Sequence, residues 1–118
     1  MGKNKELSRE LMKNIERIPQ FEEKLGIVYE NVSIQANIDE KEIKIFADLR
    51  VVDEDKFRKN GSIETTVTLY DEDNYILDMS KNHLNVSDFL GLETLRLYYT
   101  YDPDYRFEDI VKIRILPK

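Results

Sequence analysis

Three groups of carboxylates could do chemistry. Asp53, Glu54 and Asp55; Asp71, Glu72 and Asp73; and Asp102, Asp104 and Asp109 all fall in polar stretches between apolar ones. Calcium takes hard oxygen ligands, and an Asp-x-Asp step places two carboxylates on one side of a loop. Asp71, Asp73, Asp102 and Asp104 are therefore the candidate ligands of a calcium-dependent binding module. Nucleophilic catalysis has one opening, the segment Ser80-Lys81-Asn82-His83-Leu84-Asn85-Val86-Ser87-Asp88, where a single His lies near a Ser. A triad needs nucleophile, base and orienting group brought together in space, so His83 reads first as an exposed loop or strand residue. Paired-acid hydrolysis would need a cleft to hold a sugar and raise one carboxyl pKa, which a small sandwich seldom offers. The last constellation is a recognition surface. Arg96 and Tyr98 share one face at period 2, and Lys112 and Arg114 are expected to lie across from them; Tyr and Arg are the residue types that favour binding hot spots.

Several chemistries are closed to this chain. Its 118 residues contain no Cys, which removes disulfides, thiolate catalysis and Cys-ligated metal. One His excludes a two-His metal site within a chain. Only four Gly are present, too scattered for a phosphate-cradling loop or a nucleophile elbow. No cofactor is implied. The net charge is −6, unevenly spread: residues 1–26 carry six basic and five acidic groups, residues 27–118 carry 12 and 19. The main body would repel nucleic acid and anionic membrane. No apolar run approaches the roughly 20 residues that cross a bilayer. The start, Met1-Gly2-Lys3-Asn4-Lys5-Glu6, has no apolar core and reads as no signal peptide. A complete chain would then stay in the cytoplasm; a trimmed one would belong to the cell envelope.

The elements that must position these residues follow from periodicity. Leu7, Leu11, Ile15 and Ile18 recur at helical spacing, which predicts one helix ending at Pro19. A short turn from Gln20 to Leu25 follows, with Gly26 as its stop. Beyond Gly26 the period becomes 2. Val32 to Ile38, Ile43 to Val51, Ile63 to Leu69, Tyr75 to Met79, Leu95 to Tyr101 and Val111 to Ile115 read as six strands, each apolar on one face. Period 2 places Tyr75, Leu77, Met79, Tyr99 and Tyr101 inward and Tyr98 outward. Residues 53–61 read as a charged connection, and residues 80–91 have no clear period.

Two stretches resemble known families. Leu69-Tyr70-Asp71-Glu72-Asp73 is similar to the third binding loop of the calcium-dependent phospholipid-binding sandwich family. Thr66-Val67-Thr68-Leu69-Tyr70-Asp71-Glu72-Asp73-Asn74-Tyr75-Ile76-Leu77 resembles the FxLYD type of bacterial β-sandwich, in which a strand ends in Leu-Tyr-Asp before a tight turn. Gly91-Leu92-Glu93 resembles that family's later Gly-Glu step, with Leu92 inserted. This second resemblance covers about residues 63–100 and implies a non-catalytic, immunoglobulin-like module.

The expectation is an all-β, immunoglobulin-like antiparallel β-sandwich at 27–118 behind an N-terminal helical leader at 1–26. The expected function is a non-catalytic interaction or accessory module of a bacterium, the source suggested by richness in Lys, Asn and Ile. Its partner would be another protein or a second copy, with no small-molecule substrate. The calcium module is the alternative and a small hydrolase the third reading.

Overall fold

The computed structural model describes residues 2–118. Its elements run α1 (Gly2–Lys13), β1 (Ile15–Arg17), α2 (Pro19–Leu25), β2 (Ile27–Asn37), β3 (Glu42–Val51), α3 (Glu54–Arg58), β4 (Ser62–Tyr70), β5 (Ile76–Asn85), β6 (Leu92–Tyr101) and β7 (Lys112–Pro117). The strands form two sheets, ordered β1-β7-β4-β5 and β2-β3-β6. The fold is an all-β sandwich with a short N-terminal helix. Ile27, Tyr29, Ile43, Ile45, Leu49, Ile63, Val67, Leu69, Ile113 and Ile115 fill the space between the sheets. In β3, β4 and β7 the buried positions follow period 2, because one sheet face meets core and the other meets water; β2 changes phase at a register slip between Glu30 and Ser33, so that Ile27 and Tyr29 are buried before it and Ile34 and Ala36 after it.

The first helix is shorter than its apolar spacing predicts. It stops at Lys13, and Ile15, Glu16 and Arg17 leave it to pair in parallel with Ile113, Arg114 and Ile115 of β7. β-Branched Ile15 and Ile18 favour extended backbone, and Pro19 forces Ile18 out of the helical region, at φ −119° and ψ 91°. Pairing also satisfies an edge of β7 that would otherwise stand open. One pair of the expected antiparallel sandwich is thus parallel. Pro19 then opens α2 and Gly26 ends it at φ 74°, where an added Cβ would lie 2.4 Å from the Asp53 carbonyl oxygen.

The charged connection at 53–61 contains α3, capped by the Asp53 carboxylate, which accepts from the Lys56 N–H. Phe57 is fully buried and stacks obliquely on Phe89 at 5.5 Å. The Arg58 guanidinium donates to the carbonyls of Val86 and Phe89, tying this plug to the turn after β5.

Two further strands reverse their faces part-way. The β3–β6 register slips between Ile45 and Phe46: Ile45 pairs with Tyr98, Phe46 with Arg96. Leu97 is the extra residue of a bulge, so Leu97 and Tyr98 both turn inward. A second slip pairs Leu69 with Asp78 and Tyr70 with Ile76, leaving Leu77 as the extra residue. Beyond it Asp78, Ser80, Asn82 and Leu84 lie opposite inward-facing residues of β4, and Met79 turns outward. The expected inward placement of Met79, Tyr99 and Tyr101, and the outward placement of Tyr98, are overturned by these two insertions; Tyr75, also expected inward, lies in the turn before β5 and is exposed.

A candidate interaction face on the three-stranded sheet

The bulge at Leu97 decides what the outer face of β2-β3-β6 presents. Outward residues of β3 are Glu42, Lys44, Phe46, Asp48 and Arg50; opposite them on β6 stand Tyr101, Tyr99, Arg96, Thr94 and Leu92. Lys44 and Phe46 therefore form a block with Tyr99 and Arg96. The Arg96 guanidinium lies 5.1 Å from the Tyr99 ring centre and the Lys44 ammonium 5.9 Å from it. The Tyr99 hydroxyl donates to Glu42 at 3.3 Å. Tyr99 is 44% exposed and Tyr101 65%.

Most charges on this face are already matched. Glu30 pairs with Arg50, which holds the Glu30 carboxyl below its usual range, and Glu42 pairs with Lys44. Asp48 accepts from Asn31 at 2.9 Å and Thr94 at 2.5 Å, and these two bonds lower its pKa. Arg96 has no carboxylate partner among the described residues. The face thus offers one unmatched guanidinium amid Phe46, Tyr99 and Tyr101.

The other expected surface residues do not join it. Tyr98 is 2% exposed. Its hydroxyl donates to Asp78 at 2.6 Å and meets the Tyr105 hydroxyl at 2.5 Å. Burial, with Asp78 as acceptor, pushes Tyr98 well above the ordinary phenol range; burial takes Tyr105 up to about 12. Lys112 and Arg114 belong to the other sheet, where they flank the Tyr70 ring at 4.5 and 5.5 Å. Arg114 also donates to Glu16 of β1 at 2.5 Å, a bond that raises its pKa. Arg96 and the pair Lys112/Arg114 thus sit on opposite outer faces of the sandwich.

The calcium set is not assembled either. Asp71 Oδ1 accepts the N–H groups of Asp73 and Tyr75, an Asx turn that closes the β4–β5 hairpin. Asp102 faces Lys41 at 3.5 Å beside the β2–β3 turn. Among the described residues no three Asp, Glu or His side chains converge to hold a metal. His83 faces Glu64 at 3.3 Å, whereas Ser87 bonds to Asn85.

These acidic turns nevertheless set the charge layout. The loop 102–111 bonds to both Lys41 and Tyr70, so the turns at 39–41 and 71–73 share its end of the sandwich. Those three segments hold nine carboxylates and two cations, against a whole-chain charge of −6. The sheet faces are left close to neutral. Tyr99, Tyr101 and Phe46 escaped the sequence pattern; the doubled apolar step Leu97-Tyr98 and the out-of-phase Phe46 were the signals of it. No protein-family model matches the chain, and no curated protein matches it.

Proposed function

We propose that this chain is a non-catalytic, immunoglobulin-like interaction module, akin to the FxLYD type, that binds another protein through the outer face of β2-β3-β6. The observation that carries the reading is the block of Phe46, Arg96, Tyr99 and Tyr101. Tyr99, Tyr101 and Arg96 are exposed, Phe46 is half-buried beside them, and the guanidinium lacks a carboxylate among the described residues. Aromatic rings and Arg are what interfaces concentrate at their centres, and a near-neutral face does not repel an ordinary protein surface. The single His is turned toward Glu64 and away from any nucleophile pairing, which also favours binding over catalysis.

A photo-crosslinking residue at Tyr99, introduced in the full chain expressed in its native cell, tests this. It should give one discrete adduct that Arg96→Glu abolishes. The same residue at Lys81, on the other sheet, should give none. Equal adducts from both positions, or none from position 99, would end the proposal.

A further inference from the structure

Helix α1 lies along the free edge of β2 and bonds to it by side chains. The Ser8 hydroxyl accepts the Ala36 N–H at 3.2 Å, and Asn4 Oδ1 accepts the Ile38 N–H at 2.9 Å. The spacing explains the fit. Four helical residues rise about 6 Å, and two strand residues advance about 6.8 Å. Each step of four along α1 therefore meets the next edge-facing amide of β2, in reverse order. The third step brings position 12 toward Ile34. Ile34 pairs with Ile45 across the sheet in the same phase as Ala36 with Ile43, so its N–H and C=O also face the free edge. Position 12 is Met, whose thioether is a poor acceptor, where Asn4 and Ser8 supply oxygen. The caps stop one step short.

At that place there is a cleft of about 460 Å³ between α1 and β2, lined by residues that include Lys5, Ser8, Arg9, Met12, Ser33 and Ile34. Lys5 and Arg9 stand one helical turn apart, exposed, with no carboxylate partner among the described residues. Met12 is 38% exposed beside them. We propose that this cleft takes an extended acidic peptide, which adds to the β2 edge at Ile34 while its carboxylates meet Lys5 and Arg9. Strand addition supplies the main-chain bonds and the flanking side chains select the sequence. The two cations select acid, in a chain whose other surfaces carry the excess of negative charge. This site is separate from the aromatic sheet face and stands or falls without it.

Two fluorescein-labelled octapeptides of alternating Val and Glu, or Val and Lys, serve as probes against the full chain. The acidic one should bind at least ten-fold more tightly, with amide shifts confined to Lys5–Met12 and Ser33–Ala36. Raising salt should weaken it, and N-methylation of alternate peptide bonds should abolish it. The double variant K5E/R9E should reverse the preference. Met12→Asn, which supplies the missing cap, should leave the fold intact and cut binding by at least ten-fold. Equal binding of both peptides, no binding at millimolar peptide, or indifference to Met12→Asn would overturn the proposal. Shifts in the same cleft that grow with protein concentration alone would overturn it in favour of a second copy.

Discussion

The two open sides of this sandwich are closed by opposite means. On one, α1 lies along β2, burying Leu11 and packing Leu7 against the core. On the other, β5 and β6 meet as edges of different sheets, and β5 turns Asp78, Ser80 and Asn82 inward. Both sides solve one problem, the unpaired backbone of an edge strand. The helix side uses acceptors, Asn4 and Ser8, for the amides of β2. The β5–β6 seam uses donors for the carbonyls of β6: Ser80 Oγ to Leu97 at 2.9 Å and Asn82 Nδ2 to Arg96 at 2.8 Å. The helix adds apolar burial to its bonds. The seam adds further polar bonds, through Tyr98, Asp78 and Tyr105. One side is therefore held by water exclusion and the other by hydrogen bonds, and the two should fail under different perturbations.

The largest effect belongs to the helix side. Leu11 is 2% exposed. Leu11→Ala should cost about 2–5 kcal/mol in urea unfolding, the range for a buried Leu truncated in a core that cannot fully collapse. A cost under about 1 kcal/mol would mean that α1 is an appendage, and the contrast between the sides would dissolve.

On the seam the matching change is Tyr98→Phe. It removes the donor to Asp78 and the partner of Tyr105 together, so about 1–3 kcal/mol should be lost. A pH scan sharpens the contrast. Tyr98 and Tyr105 are raised in the folded state above the unfolded tyrosine value of about 10. The folded state holds their protons longer, so their contribution is complete below about pH 10 and is lost as pH climbs past it. Tyr105 titrates near 12. Melting temperature should fall above pH 10 in the wild type and fall less in Tyr98→Phe, whereas Leu11→Ala should keep the wild-type slope. Tyr29, also raised by burial, belongs to the core and gives both proteins the same background.

How much of this was legible in the sequence depended on whether one face of each element was apolar. β3, β4 and β7 carry apolar residues at alternate positions, and their placement follows from that alone, whereas β2 alternates on each side of its slip and changes phase across it. The inward side of β5 mixes Leu84 with Asp78, Ser80 and Asn82, which serve as donors and acceptors, so residues 80–85 gave no period. β6 does have a pattern, but the extra Leu97 inverts it, and a count that assumes strict alternation puts Tyr98 and Tyr99 on each other's faces. β1 is three residues long, too short to show any period, and Ile15 at its start and Ile18 just after it continue the spacing of α1 by coincidence. The proposed interaction face inherited the β6 error: Arg96 does lie outward, but Tyr99 stands beside it where the pattern put Tyr98.

The smallest effects separate the two kinds of edge bond directly. Ser8→Ala and Ser80→Ala each delete one hydroxyl bonded to backbone, so both should cost within about 0.5–1.5 kcal/mol. They should not cost the same. The Ala36 amide borders the open cleft beneath α1, so water can replace Ser8 at that site. The Leu97 carbonyl lies at the β5–β6 seam in a residue that is 2% exposed, against 6% for Ala36, so replacement water has less room there. Ser80→Ala should therefore fall at the upper end of the range and Ser8→Ala at the lower. Amide exchange adds a local readout: in Ser8→Ala the Ala36 amide should exchange faster while the Ile38 amide, still held by Asn4, keeps its rate. Equal costs for the two serines, or loss of protection at both amides together, would show that α1 detaches as a unit and that its side-chain bonds are not independent caps.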